Sequence, residues 1–258
     1  MNTSAQGLRV LITAGASGIG YTIAKTFFEA GARVHICDID EAALAKTKIA
    51  LPKVTQSVAD VARVDHVNRL FAEAHAHFDG LDVLVNNAGI AGPTGNIEDI
   101  AVADWDRTIA VDLNSMFYCT RLAMPLLKAA GGGSIINLSS VAGRMGFPMR
   151  TPYAAAKWAV VGLTQSLAME AGPHNIRVNC LQPGMVEGDR VDRVVESKAK
   201  ALGLTPAAFR EHLLAQVSMR TTVDAQDIAN VALFLATDTG KRISGQAIPI
   251  CGNIETLA

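Results

Sequence analysis

The fold is decided by residues 9–38, RVLITAGASGIGYTIAKTFFEAGARVHICD. An apolar, strand-like run at Arg9–Thr13 leads into a glycine-rich turn, and the stretch Ile19–Ala30 that follows has the length and apolar spacing of a helix. Gly31 is placed to end that helix, and Arg33–Cys37 is typical of a second buried strand. A strand, a helix and a strand in this order predict a parallel βαβ unit with a right-handed crossover.

The same alternation of strand-like and helical stretches continues along the chain. It predicts strands at Lys53–Val58, Leu81–Val85, Ser134–Leu138, Arg177–Leu181 and Ala247–Ile250, and a helix at Val64–Phe78. The strand-like runs are continuously apolar, which is typical of parallel strands covered by helices on both faces. No repeat or linker interrupts them. We therefore expect an α/β protein, a single Rossmann-type, doubly wound domain spanning residues 1–258.

Composition limits the class of ligand. The net charge of −1 excludes a broad basic surface for nucleic acid, so a small-molecule substrate is the better hypothesis. No stretch approaches the roughly 20 apolar residues of a membrane span, and the polar N-terminus does not resemble a signal peptide. We expect a cytoplasmic protein with no membrane association and no metal site. In that compartment the well-separated cysteines should be buried, reduced thiols, namely Cys37, Cys119, Cys180 and Cys251.

The glycine-rich turn at residues 13–20, TAGASGIG, is a candidate phosphate-binding loop. Glycines allow the backbone to approach a pyrophosphate, and the N-terminus of the following helix offers free N–H groups and the positive end of its dipole. The spacing is not G-x-G-x-x-G, so a purely structural turn remains an alternative. The residues expected to contact the cofactor here are Gly15, Ser17, Gly18, Ile19 and Gly20.

Asp38 indicates which dinucleotide binds. It closes the second strand, 18 residues beyond Gly20, where a carboxylate can bond the adenosine ribose hydroxyls. A carboxylate there repels the additional phosphate of NADP, and residues 13–20 contain no Arg or Lys to offset it. NAD is therefore favoured over NADP. The alternative is an ordinary turn aspartate ahead of Asp40.

Six motifs, including the glycine-rich turn, give the chain a resemblance to the short-chain dehydrogenase/reductase family over nearly its whole length. The motifs are TAGASGIG at 13–20, the pair Asp60 and Val61, NNAG at 86–89, the serine of INLSS at 136–140, YAAAK at 153–157 and NCLQPG at 179–184. The resemblance implies about seven parallel strands and a homotetramer. It also implies further cofactor contacts, at Asp60, Val61, Asn87, Ala88, Gly89, Pro183, Gly184 and Val186. For NNAG, the alternative to cofactor binding is an ordinary turn that follows a strand.

Tyr153 and Lys157 are the candidate catalytic pair. They are four residues apart in a helical segment, so they share one helix face. A nearby ammonium favours the phenolate form of a tyrosine, which can take the proton of an alcohol while hydride leaves carbon for the cofactor. Ser140, 13 residues before Tyr153, would donate a hydrogen bond to the substrate oxygen. The resemblance adds that Lys157 holds the nicotinamide ribose. A Y-x-x-x-K pair alone is also common on solvated helices.

Three positions depart from the family pattern. Ala14 occupies the site of the first loop glycine, and we expect a loop conformation that alanine tolerates. Asp112 falls where the family has an asparagine that supports a proton-relay water. Its backbone carbonyl could still hold that water, and its carboxylate could pair with Lys157. Gly188 replaces a threonine that contacts the nicotinamide carboxamide, so backbone groups of Val186 are expected to hold that group instead.

Substrate choice is expected to lie in residues 185–220, a lid over the substrate in which Thr205-Pro206 marks the start of a helix. Candidate substrate contacts are Arg150, Glu187 and Arg190, although such charges are also typical of a solvated face. The carboxylate of Glu187 would suit a polyol or an amino alcohol as substrate, whereas the guanidinium of Arg150 would suit a substrate that carries a carboxylate.

The resulting hypothesis is an NAD-dependent oxidoreductase that interconverts a small polar secondary alcohol (a polyol, amino alcohol or hydroxy acid) and its ketone. Two alternatives remain open. One is an NADPH-dependent reductase of 3-oxoacyl thioesters, for which neither a basic first loop nor a basic patch is evident. The other is a nucleotide-binding regulator that has lost turnover, which would be expected to lack Ser140, Tyr153 or Lys157.

Overall fold

A computed structural model describes residues 4–255, apart from the side chain of Arg190. Seven parallel strands form one sheet in the order β3-β2-β1-β4-β5-β6-β7. Their bounds are β1 Arg9–Thr13, β2 Arg33–Asp38, β3 Thr55–Val58, β4 Val83–Asn86, β5 Gly133–Leu138, β6 Ile176–Pro183 and β7 Ala247–Ile250. The chain order reverses between β1 and β4, which opens a crevice at the carboxyl edge of the sheet. The predicted doubly wound sheet is confirmed.

Helices cover both faces of this sheet. They are α1 Gly18–Glu29, α2 Glu41–Ala50, α3 Val64–Phe78, α4 Val102–Ile109, α5 Ser115–Ala129, α6 Thr151–Ala171, α7 Asp189–Leu202, α8 Pro206–Ala215 and α9 Ala225–Ala236. Side chains alternate along a strand, so Val10 and Ile12 pack into a core with α1 and α9. Leu11 points the other way, into a core with α3 and α5. Continuous apolar strands are therefore required, as the sequence predicts.

The predicted boundaries agree closely with the structure where the signal is local. The strand at Arg9–Thr13, the helix at Val64–Phe78 and the strand at Ala247–Ile250 have the predicted limits. Gly31 follows the end of α1 with φ +94°, as expected of a glycine that terminates a helix. The four cysteines are buried and unpaired, as predicted. None of the helices in residues 4–255 is long and apolar enough to cross a membrane.

The long helical stretch between β4 and β5 is interrupted. A π-helical turn, Ala110–Asn114, joins α4 to α5. Such turns insert one extra residue per turn and rotate the side chains that follow, and they are frequent at functional sites. Asp112, which departs from the family pattern, lies within this turn and is fully buried.

Candidate active site

A cavity of about 650 Å³ opens at the carboxyl edge of the sheet. The structure brings many of the sequence-predicted site residues into its wall, namely Ser17, Gly18, Ile19, Gly20, Asn87, Gly89, Ser140, Tyr153, Lys157, Pro183, Gly184 and Val186. The first loop lies at one side of this cavity and the first turn of α6 at the other. α7 and α8 cover it from the lid side, with Lys198 and Phe209 in the wall.

The first loop is held tightly against the end of β4. A Cβ added to Gly20 would lie 2.1 Å from the carbonyl oxygen of Ala14 and 2.4 Å from Asn87 Nδ2. Asn87 Nδ2 donates to the carbonyl oxygens of Thr13 and Ala14, each at 3.0 Å. Glycine is therefore required at position 20, and the amide of Asn87 fixes the loop shape. Ser17 and Gly18 begin α1, so the free N–H groups of that helix face the cavity.

The backbone of Ala14 is strained, so the expectation of a loop conformation that alanine tolerates is wrong. Its φ is +49°, in the left-handed region that favours glycine. An L-residue there costs about 1–2 kcal/mol, and the bond from Asn87 to the Ala14 carbonyl helps to hold the conformation. The loop therefore keeps the backbone path of a glycine although it carries a methyl group.

Asp38 closes β2 and is buried. Its Oδ2 accepts a hydrogen bond from the backbone N–H of Ala16 at 3.2 Å, so the carboxylate is turned toward the first loop. Its Oδ1 accepts from the N–H of Asp40 at 3.2 Å. These bonds orient the carboxylate at the end of the strand, where the sequence predicts that the adenosine ribose binds.

The other predicted contacts at the adenine end lie outside the lining of the 650 Å³ cavity. Asp60 Oδ1 accepts from the N–H of Ala62 at 3.0 Å, and its Oδ2 lies 3.4 Å from Arg107 Nη1. Val61 is buried. Asp38, Gly15 and Ala88 are likewise absent from that lining, so their contact with a cofactor stays a prediction.

Tyr153 and Lys157 stand on successive turns at the start of α6, as the sequence predicts. Lys157 is buried, and its Nζ donates to the carbonyl oxygen of Leu138 at 3.0 Å and lies 5.5 Å from the centre of the Tyr153 ring. Ser140 follows β5 and caps a short 3₁₀ turn, where its Oγ accepts from the N–H of Ala142 at 3.2 Å. The three side chains thus meet in the wall of one cavity.

Asp112 forms a buried pair with the catalytic lysine candidate. Its Oδ2 lies 3.8 Å from Lys157 Nζ, and its Oδ1 accepts from the N–H of Ile90 at 2.6 Å. Both side chains are almost wholly buried, with 0% exposure for Asp112 and 3% for Lys157. The expected pairing is therefore present. Gly89 is also constrained by it, because an added Cβ would lie 3.1 Å from Asp112 Oδ1 and 3.2 Å from Lys157 Nζ.

The three candidate substrate contacts have different surroundings. Arg150 is buried at 2% exposure, so the alternative of a solvated charge is wrong for it, and its guanidinium lies 5.4 Å from the centre of the Tyr153 ring. Glu187 lines the cavity but its side chain is 49% exposed and lies 3.7 Å from Arg210. The side chain of Arg190 lies outside the described residues.

Lys198 is a cavity residue that sequence reasoning missed. It is buried at 2% exposure, and its Nζ lies 4.6 Å from the centre of the Phe147 ring. The available signal is its position on the apolar face of α7, seven residues after Val191 and three after Val195. As predicted, the next helix starts after Thr205, whose Oγ1 accepts from the N–H of Ala208 at 3.2 Å.

A family model for short-chain dehydrogenases, described as enoyl-(acyl carrier protein) reductase, matches residues 13–252. The chain belongs to the short-chain dehydrogenase/reductase family. The predicted family membership is confirmed. The coarser functional prediction, an oxidoreductase that uses a nicotinamide nucleotide, is confirmed with it.

Three curated relatives show the range of this family. The chain is 39% identical to trans-4-hydroxycyclohexanecarboxylate dehydrogenase of Sinomonas cyclohexanicum, over 94% of this chain and 90% of the relative. It is 33% identical to D-beta-hydroxybutyrate dehydrogenase of Rhizobium meliloti, over 94% and 96%. It is 32% identical to a 3-oxoacyl-[acyl-carrier-protein] reductase of Chlamydia muridarum, over 98% and 100%.

Two solved structures of this family resemble the chain closely. NAD+-bound xylitol dehydrogenase superposes with a TM-score of 0.93 at 26% identity, covering 98% of this chain and 100% of the other. An actinorhodin polyketide ketoreductase variant with NADPH gives 0.92 at 27%, covering 97% and 98%. Both nicotinamide dinucleotides thus occur on this short-chain dehydrogenase/reductase fold. Within residues 4–255 no cluster of three or more His, Cys, Asp or Glu side chains is arranged to hold a metal ion.

Proposed function

We propose that this short-chain dehydrogenase/reductase is an NAD-dependent enzyme that interconverts a small polar secondary alcohol and its ketone. The observation that carries the proposal is the convergence of Ser140, Tyr153 and Lys157 on the cavity that the first loop also lines. Two of the relatives are named for hydroxycarboxylate substrates, which belong to this class.

The residues present fit a nicotinamide dinucleotide. The close approach of the first loop to Asn87 leaves no room for a Cβ at Gly20, and the N-terminus of α1 faces the cavity. The carboxylate of Asp38, oriented by the N–H of Ala16, would hold ribose hydroxyls and repel an additional phosphate. The backbone around Gly184 and Val186 would hold the carboxamide. When bound, the dinucleotide accepts hydride from the alcohol carbon or returns it to a ketone.

Tyr153 is the proton carrier of the proposed mechanism. Its phenolic oxygen takes the alcohol proton during oxidation and returns it to the ketone oxygen during reduction. Ser140 Oγ donates a hydrogen bond to the same substrate oxygen and stabilises the charge that develops there. The ammonium of Lys157 favours the phenolate, and its bond to the Leu138 carbonyl fixes its position.

Asp112 is proposed to tune this proton transfer. At 3.8 Å its carboxylate offsets part of the positive field of Lys157 at the tyrosine. Asp112→Asn should then move the pH of half-maximal kcat/KM to lower values. An unchanged pH–rate profile would remove any special role for the charge.

The rival function is reduction of 3-oxoacyl thioesters with NADPH, which the name of one relative favours. Calorimetric titration with NADH and NADPH separates the two. We expect NADH to bind at least about tenfold more tightly, since a carboxylate facing a phosphate is repulsive. In Asp38→Ala this preference should shrink, whereas in Asp40→Ala, the matched control on the neighbouring turn, it should persist. Tighter binding of NADPH to the wild-type protein would overturn the NAD assignment.

A homotetramer in the cytoplasm is also proposed. Large apolar side chains are exposed on two helices, with Phe117 on α5 at 53% and Trp158 and Met169 on α6 at 51% and 82%. Exposed large apolar side chains favour burial against another chain. Light scattering during size-exclusion chromatography should give four times the 27.2 kDa chain mass. A monomeric mass would refute the assembly.

A further inference from the structure

The two helices that cover the cavity form a small unit with its own core. Among the described residues, one hydrophobic cluster consists of side chains from α7 and α8 alone, namely Val191, Val195, Ala199, Phe209 and Leu213. All of them except Ala199 also line the cavity. Because α7 and α8 pack on each other through this cluster, we expect them to move together as one lid whose inner face closes the cavity.

The chain on either side of the lid is fixed to the rest of the protein. Before α7, the N–H of Glu187 donates to the carbonyl oxygen of Val223 at 3.0 Å, and the N–H of Val223 donates to that of Met185 at 2.8 Å. Val223 itself belongs to the core shared with α1 and α9. After α8, the N–H of Ser218 donates to the carbonyl oxygen of Asn253 at 3.0 Å. Any displacement of the lid must therefore be taken up between residues 188 and 217.

Gly188 is placed to act as the pivot of the lid. It lies between the fixed Glu187 and the first residue of α7, and its φ is +129°. A Cβ added to Gly188 would have no neighbour within 4 Å, so close packing does not require the glycine. The position requires instead a backbone conformation that L-residues rarely adopt. A residue of this kind at the end of an element can absorb the dihedral changes of a moving lid.

Arg210 forms a link across this pivot. It lies on α8, and its Nη1 is 3.7 Å from Oε2 of Glu187, which stands on the fixed side of Gly188. Its Nη2 donates to Oδ1 of Asp192 in the first turn of α7. One guanidinium thus connects the fixed segment to both lid helices while the lid covers the cavity.

The strength of this link suits a lid that has to open in every catalytic cycle. The side chains of Arg210, Glu187 and Asp192 are 29%, 49% and 51% exposed. Ion pairs as exposed as these change an equilibrium by only a few-fold each, and salt weakens them. They can therefore favour the closed lid without preventing the release of a product.

We propose that Arg210 is a positioning residue that latches the lid over the cavity through Glu187 and Asp192, and so slows the escape of a bound nicotinamide dinucleotide. The part of this inference that concerns the dinucleotide rests on the proposed function. Glu187 directly follows Val186, whose backbone would hold the nicotinamide carboxamide. The latch therefore stands one residue from that contact, where a closed lid would retain the nucleotide and exclude water.

Opening of the lid can be measured without any ligand. Val195 lines the cavity from α7 and is 2% exposed, so Val195→Cys, a change of similar size, introduces a thiol that reacts with dithiobis(nitrobenzoate) when the lid opens. The four native cysteines are buried, and their reaction in the parent protein gives the background. We expect Arg210→Met to raise the labelling rate about threefold to tenfold, the combined effect of two exposed ion pairs. Lys200→Met, the control at an exposed position of α7, should leave the rate unchanged, and equal rates in the two variants would overturn the latch.

A double-mutant cycle tests whether Arg210 acts through its carboxylate partner. Asp192→Asn should raise the labelling rate by a smaller factor than Arg210→Met, about twofold to fivefold, because the pair of Arg210 with Glu187 remains. Added to Arg210→Met, it should have no further effect, since its partner is already gone. Potassium chloride at about 0.5 M should speed labelling with Arg210 present and have little effect in Arg210→Met. Additive effects of the two substitutions would show that the ion pair does not hold the lid.

Release of nucleotide separates failure of the latch from failure of the proposed function. Stopped-flow displacement of bound NADH, and of bound NADPH, gives a release rate without any alcohol substrate. Release should be about threefold to tenfold faster from Arg210→Met than from the wild-type protein or Lys200→Met. Faster labelling of Val195→Cys in a protein that binds neither nucleotide would refute the dehydrogenase and leave the latch standing. Binding with equal release rates from the two variants would refute retention of the nucleotide by the latch.

Discussion

The buried pair of Asp112 and Lys157 gives the most direct test of how this site is built. The perturbation is Asp112→Asn, which removes one charge while keeping a side chain of the same shape. The asparagine carbonyl can still accept from the N–H of Ile90, now 2.6 Å from Asp112 Oδ1. Lys157 Nζ keeps its bond to the carbonyl of Leu138 at 3.0 Å. The variant therefore leaves a buried ammonium without its counter-charge and little else changed.

The size of the effect follows from distance and burial. Two unit charges 3.8 Å apart attract by about 4 kcal/mol at an effective dielectric constant near 20. Removing one partner of a buried pair typically costs about 3–5 kcal/mol. Because the introduced asparagine would retain the hydrogen bond to Ile90, we expect the lower end, about 3 kcal/mol of unfolding free energy. For a chain of this length that corresponds to a fall in Tm of roughly 6–12 °C.

The assay is a double-mutant cycle read by urea and thermal unfolding at one protein concentration. The single variants are Asp112→Asn and Lys157→Met, and the cycle isolates their coupling, which should be about 2–3 kcal/mol. Asp106→Asn makes the same chemical change at an exposed position of α4 and should stay within about 0.5 kcal/mol of wild type. A cost for Asp112→Asn no greater than that of this control would refute the charge pair as a source of stability.

Two further predictions concern other parts of the fold. Burial lowers the pKa of His35 to about 4. The stability that neutral His35 contributes is therefore complete above its unfolded pKa near 6.5 and is lost as the pH falls toward 4. Urea unfolding should show a free energy of unfolding about 2 kcal/mol lower at pH 5 than at pH 7, and this difference should disappear in His35→Gln. Gly20→Ala should abolish NADH binding measured by calorimetry, since its Cβ would lie 2.1 Å from the carbonyl oxygen of Ala14. The control Gly162→Ala adds a methyl group in open space on α6. It should bind NADH normally, and its free energy of unfolding should rise by roughly 0.5–1 kcal/mol.

Much of the fold was predictable because its signals are local. The run Arg9–Thr13 is apolar on both faces, as a central parallel strand must be, and the helix Val64–Phe78 carries a clear apolar stripe. The π-helical turn Ala110–Asn114 was not predictable in this way. It lies inside a continuous helical stretch, and it contains Asp112, whose partner Lys157 comes from another helix.

The placement of the candidate catalytic residues was predictable for a related reason. Tyr153 and Lys157 are one helical turn apart, so their spacing alone puts them on one face. Ala14 shows where such reasoning fails. Its side chain suggests an ordinary backbone, but φ is +49°, and Asn87, which follows β4, donates a hydrogen bond to its carbonyl. Backbone geometry imposed from a distance leaves no trace in the local sequence.

Arg150 and Lys198 are 48 residues apart, and each taken alone resembles a solvated charge. The two side chains meet only in the folded protein, where α7 places Lys198 against the Phe147 ring that Arg150 also contacts. The local sequence of α7 offers one clue, because Lys198 shares the helix face that carries Val191 and Val195. A charged residue at an apolar position of a helix is therefore the pattern that could have predicted its burial in the cavity wall. The ring that it contacts comes from another part of the chain, and only tertiary packing brings the two together.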